Sequence, residues 1–150
     1  MTYRNRWTCF RRGTLALLLG AAALLTASCS GRKSVYPVHG QVVDRNNKPA
    51  AGAQIFFHPT DPNYTDLNRP IGKTDETGHF SLTTYTEGDG APAGEYAVTV
   101  LWPVPRRSPL DPEGGDQLKG ALANPETSKI RFAVKPGTEN EVPDIKLPLP

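Results

Sequence analysis

Glu95-Tyr96-Ala97-Val98-Thr99-Val100-Leu101-Trp102 decides how this chain is read. Polar or small residues alternate with Tyr96, Val98 and Val100, which therefore share one face of an extended strand. Six further short runs carry the same signature between turn signals. They are Tyr36–Asp44, Ala53–His58, Ile71–Thr74, His79–Thr84, Lys129–Val134 and Val142–Leu147. Phe80 and Leu82 point inward in His79–Thr84, and Ile130, Phe132 and Val134 share a face in Lys129–Val134. Asp75-Glu-Thr-Gly78 has Asp first and Gly fourth, the chemistry of a tight turn in which Gly78 takes a positive φ. Seven short strands with turns at near-regular intervals predict an all-β sandwich. The 15 Pro and 14 Gly exclude a helical bundle. Asp116–Ala123 is the one stretch that suggests a turn or two of helix, and Gly120 weakens it.

Two segments interrupt the strand spacing. Pro59–Pro70 is polar and carries three prolines, and Pro103–Thr127 is longer, with five prolines and Gly114-Gly115. Connections of that length usually carry function or lack fixed structure. Residues 103–127 are expected to form a surface excursion, mobile at Glu113–Asp116 and docked near Leu118 and Leu122.

Four motifs in order carry a resemblance: Gly40-Gln-Val-Val-Asp44, Lys48-Pro-Ala-Ala-Gly-Ala53, Thr74-Asp-Glu-Thr-Gly-His-Phe80 and Pro92-Ala-Gly-Glu-Tyr-Ala-Val-Thr-Val100. Together they resemble the carboxypeptidase regulatory-like domain. With Thr84–Pro92 and the late Leu118…Asn124-Pro125…Ser128, the chain looks like the small lipoproteins abundant in planctomycete bacteria. The resemblance implies a prealbumin-like (transthyretin-like) seven-stranded Greek-key β-sandwich over residues 36–150. It implies no enzymatic activity. The same fold hosts a hydroxyisourate hydrolase with a C-terminal Tyr-Arg-Gly-Ser signature, but this chain ends Ile145-Lys-Leu-Pro-Leu-Pro150.

The N-terminus reads as an address. Residues 1–14 are basic and free of acids, and Leu15–Leu25 is apolar. Small residues follow up to Cys29. That is the layout of a secretory signal peptide, expected over residues 1–28. Eleven apolar residues reach about 17 Å as a helix, short of a hydrocarbon core of about 30 Å. Leu25-Thr-Ala-Ser-Cys29 resembles a bacterial lipobox, with Thr26 where that motif usually has Leu. The resemblance implies acyl chains on Cys29, a membrane anchor and a place on the cell envelope, periplasmic or surface-facing. A retained anchor helix, or ordinary signal cleavage that leaves Cys29 a free thiol, stays open as an alternative. Cys9 lies in the segment to be removed, so the mature chain would hold no disulfide. Residues 29–35 read as a short tether.

Charge narrows the partners. Beyond the leader, 13 basic residues face 15 acidic ones, a net charge of −2. A nucleic-acid-binding face is not expected from that balance. His39, His58 and His79 stand 19 and 21 residues apart, and no two have the i, i+2 spacing of a strand-borne metal pair. Asp75, Glu76, Glu87 and Asp89 read as acidic turns and not as a calcium loop. No cofactor, metal or catalytic nucleophile is expected. The expected role is a non-enzymatic structural or protein-binding module, with a carbohydrate-binding module as the alternative. Tyr64, Tyr85 and Trp102 are the aromatics expected to be exposed for stacking. With Leu110, Leu118 and Leu122, Tyr85 and Trp102 make up the candidate binding surface. The oligomeric state is not legible.

Overall fold

A computed structural model describes residues 32–64, 67–105, 108 and 114–148. Cys29, Leu110, Arg106, Arg107 and Glu113 lie outside the described residues, as does the whole leader. Residues 32–150 form one compact unit, and its core residues lie between Val38 and Leu147.

The unit is all-β, and no helix occurs among the described residues. The described residues form nine strands where seven were expected: β1 Val35–Tyr36, β2 Val38–Val43, β3 Gln54–Pro59, β4 Ile71–Lys73, β5 His79–Ser81, β6 Ala91–Pro92, β7 Gly94–Leu101, β8 Arg131–Val134 and β9 Asn140–Lys146. The two additions have local causes. Pro37 has no N–H for a ladder, so the expected first strand is cut into β1 and β2. The freed piece, β1, pairs with β6 (Val35 opposite Pro92), too short a run to show alternation in sequence. Val35 therefore lies in the sheet and not in the tether.

The longer strands form two sheets. One has the order β5-β2-β9, the other β4-β3-β7-β8. All pairs are antiparallel except β2 with β9. The β2–β9 register slips between Gly40 and Val42. Pro143 lies in the slipped stretch of β9, where a missing N–H disturbs the ladder least. Tyr96, Val98 and Val100 do share a buried face, and with Ile55 and Phe57 of β3 they meet Val42, Phe80, Val142 and Ile145 of the other sheet in one cluster. The Tyr96 hydroxyl avoids a buried unpaired group by donating to the Pro92 carbonyl at 2.8 Å. Along one side the sheets are tied by Ile71 and Thr83, whose N–H groups each donate to the other's carbonyl at 3.0 and 2.7 Å.

Strand direction gives the unit two distinct ends. β2, β7 and β9 start near Arg32 and Lys33, and β3 and β8 return toward them. Residues 60–64, 67–70, 83–93 and 135–139 therefore gather at this tether end. The turns at 44–49 and 75–78 lie at the distal end with Trp102. The eight residues of β7 at about 3.3 Å each put the ends about 26 Å apart.

Candidate functional site

The distal end carries the start of the long excursion. Its prolines predict no ladder, yet the segment forms a short stem. Val104 donates to the Gly115 carbonyl at 3.0 Å, and Gln117 donates to that of Trp102 at 2.8 Å. Pro103 faces Asp116 in an antiparallel bridge. A proline suits such a position when its nitrogen faces away from the partner strand. Asp116 holds the stem closed. Its Oδ1 accepts the N–H of Trp102 at 2.9 Å and of Leu118 at 3.0 Å, and its Oδ2 accepts that of Gly120 at 2.9 Å. Burial alone would raise this carboxyl, but the bonds from Trp102, Gly120 and Leu118 outweigh it and hold it below the usual carboxylate range. Asp116, the last residue of the stretch expected to be mobile, thus has three N–H donors on its carboxylate. The expected helical turns after Asp116 are turns only, with Lys119 and Gly120 both at positive φ.

The residues of the candidate binding surface do not lie together. Leu118 is 4% exposed and belongs to the core, so it offers nothing to a ligand. Leu122 packs against the core and is half-buried. Trp102 is half-buried as well, because its ring packs on the core and its indole N–H donates to the Ala51 carbonyl at 3.0 Å. Tyr85 stands at the other end of the unit, so it shares no surface with Trp102. What the stem does present is Val104, 46% exposed, two residues after the half-buried Trp102.

At the tether end, Tyr85 and Tyr64 are covered by the first residues of the unit. The Lys33 N–H donates to the Tyr85 hydroxyl at 3.0 Å, and the Arg32 guanidinium lies 5.4 Å from the centre of the same ring. The Lys33 ammonium sits 4.0 Å from the centre of the Tyr64 ring. Both are cation–π contacts. They leave the tyrosines half-buried and not open, as stacking on sugar would need. The loop that holds Tyr85 is built on Asp89, whose carboxylate accepts the N–H groups of Thr84, Tyr85 and Thr86 at 2.7–3.0 Å. Burial opposes ionisation here too, but those bonds win and lower the Asp89 pKa. Gly90 closes the loop at φ 93°, and a Cβ there would stand 1.8 Å from the Tyr36 carbonyl oxygen.

The outer face of the four-stranded sheet carries an open cleft of about 660 Å3. His58, Ala97 and Arg131 lie in one row across β3, β7 and β8, and the small Ala97 forms the floor between the longer side chains. His58 Nε2 lies 2.8 Å from the Thr99 hydroxyl. Burial, and then the Arg69 charge, lower the His58 pKa, which favours the neutral ring. Thr99 is itself buried, so a neutral imidazole beside it polarises no accessible nucleophile. His39 instead pairs with Glu139 at 3.6 Å, and His79 lies on β5, so the three histidines do not converge. Among the described residues no three His, Cys, Asp or Glu side chains gather as metal ligands. No helix among them is long and apolar enough to cross a membrane.

No family model matches the chain, and no curated protein is similar to it. Among solved structures, a 9R-lipoxygenase from Cyanothece PCC8801 aligns with 77% of this chain at 13% identity and a TM-score of 0.42. The aligned part is 17% of that enzyme's chain. A likeness of that size carries no argument about fold or function.

Proposed function

We propose that this chain is a lipid-anchored envelope domain of the carboxypeptidase regulatory-like, prealbumin-like type that acts by binding a protein partner at its distal end. In this reading β2, β3, β4, β5, β7, β8 and β9 are the seven strands of a Greek-key sandwich, and the β1–β6 pair is an added clasp. A split of those strands into sheets of three and four, sharing one core, supports it. The acyl chains sit on Cys29, and the chain works without catalysis or cofactor.

One observation carries the proposal: the chain enters the sandwich at one end, and the Trp102–Gln117 stem leaves it at the other. A membrane attachment at Cys29 then turns the stem outward. Loops held on a rigid sheet scaffold are where binding usually resides. The separation of Tyr85 from Trp102 favours a protein partner over a glycan stacked on both rings.

The test is photo-crosslinking in cells from a probe at Val104, with a second probe at exposed Glu141 on β9. A discrete protein adduct from position 104 alone is expected. Equal adducts from both positions, or none from position 104, would count against a distal binding site.

A further inference from the structure

Leu67 is 95% exposed, against 47% for Ile71 and 46% for Val104, the other exposed large apolar side chains among the described residues. It lies in residues 67–70 at the tether end and lines the outer cleft together with Tyr64 and Arg69. Tyr64 is the residue whose ring carries Lys33. One end of the unit therefore brings together an open leucine, two tyrosine rings, and the cations Arg32, Lys33 and Arg69. Tyrosine is enriched at the boundary between headgroups and acyl chains, where one edge is wet and the other is not. Lysine and arginine can lay their stems along such a boundary and keep their charge in the headgroup layer.

The length of chain decides what meets this end. Arg32 follows Cys29 by three residues, a reach of at most about 11 Å. The headgroup region is about 5–8 Å deep on each side of a bilayer. An anchor at Cys29 thus holds Arg32 in or just outside that layer, and the contacts of Arg32 and Lys33 with Tyr85 and Tyr64 tie the end of the tether to this end of the unit.

We propose that the tether end is a second membrane contact, in which Leu67 enters the acyl boundary and Tyr64 and Tyr85 lie at headgroup level. The proposal rests on Cys29 as the point of attachment. Acids share this end, Asp61, Glu87 and Glu95 among them, so charge does not drive the contact. Apolar insertion does, and it is insensitive to salt.

Residues 29–150 contain the entire compact unit, and Cys29 is their sole cysteine. This piece is coupled through that thiol to a maleimide lipid in phosphatidylcholine vesicles with brominated acyl chains. Tryptophan is placed by Leu67→Trp or, at the distal turn, by Glu76→Trp, with the signal of native Trp102 subtracted. Neither site touches the core, since both are exposed. Emission from position 67 should fall at least twofold on brominated vesicles and shift to the blue, equally at 0.1 and 0.5 M salt. Emission from position 76 should not change. Equal access of acrylamide to both positions, or quenching at 67 that salt abolishes, would overturn the proposal. Chemical coupling separates the two readings: an unacylated Cys29 in cells would end the anchor proposal and leave this measurement standing on its own.

Discussion

Gly78 shows how much a single turn position controls. Its φ is 80°, and a Cβ there would stand 2.6 Å from the Val42 carbonyl oxygen. The left-handed backbone alone costs a branched residue about 1–2 kcal/mol. The clash adds to that, because the same carbonyl accepts the Ala50 N–H. Gly78→Val should lower the melting temperature by about 5 °C or more, read by circular dichroism. No change would mean that the turn relaxes freely. This residue was legible, since Asp75 and Gly78 at turn spacing announce the geometry. Thr74 was not. Its buried hydroxyl donates to the Ala50 carbonyl at 2.6 Å and accepts the Ala53 N–H at 2.8 Å, and nothing in a threonine at a strand end names partners more than twenty residues away.

At the scale of elements, alternation marked the strands well, in β5, where Phe80 is buried between exposed His79 and Ser81, and in β7, although Ala97 and Thr99 on its other face are buried too. It failed where an element is held by hydrogen bonds without a repeating pattern: the two-residue β1–β6 clasp and the Asp116 stem. Proline density in Pro103–Thr127 suggested a segment without pairing, and the side-chain bonds of Asp116 are what reverse that. Asp116→Asn should open the stem. Trypsin should then cut after Lys119 several-fold faster than in the parent, as mapped by mass spectrometry, while the core strands stay associated. An unchanged cutting rate would show that Leu118 alone holds the segment. Acid should act in the same direction. Asp116 and Asp89 both ionise more readily in the folded chain than in the unfolded one. Their contribution is present above the unfolded carboxylate pKa of about 3.9, and it is lost as pH falls through the lower folded values. The melting temperature should therefore drop steeply below about pH 4, and the Asp89→Asn, Asp116→Asn double variant should show a shallower drop. Parallel curves for the two proteins would mean that other carboxylates control the acid limb.

At the scale of the whole molecule, composition and turn spacing were enough to indicate an all-β unit beyond the leader, because a sandwich is written in period-two runs that do not depend on long-range partners. The candidate surface was less legible. Leu118 and Leu122 look alike in sequence as apolar residues four apart in a loop, and only packing separates the buried one from the half-buried one. Which end of the sandwich carries each loop also follows from strand order, which no local pattern encodes. Both proposals about the two ends depend on a membrane holding this domain at Cys29. The most direct test is mass spectrometry of the protein extracted from the membranes of the cells that make it. The predicted N-terminal peptide begins at Cys29 and carries a diacylglyceryl group on its thiol. A mature chain that begins elsewhere, or one in which Cys29 is unmodified, would contradict the anchor and with it the assignment of one end to the membrane and the other to a partner.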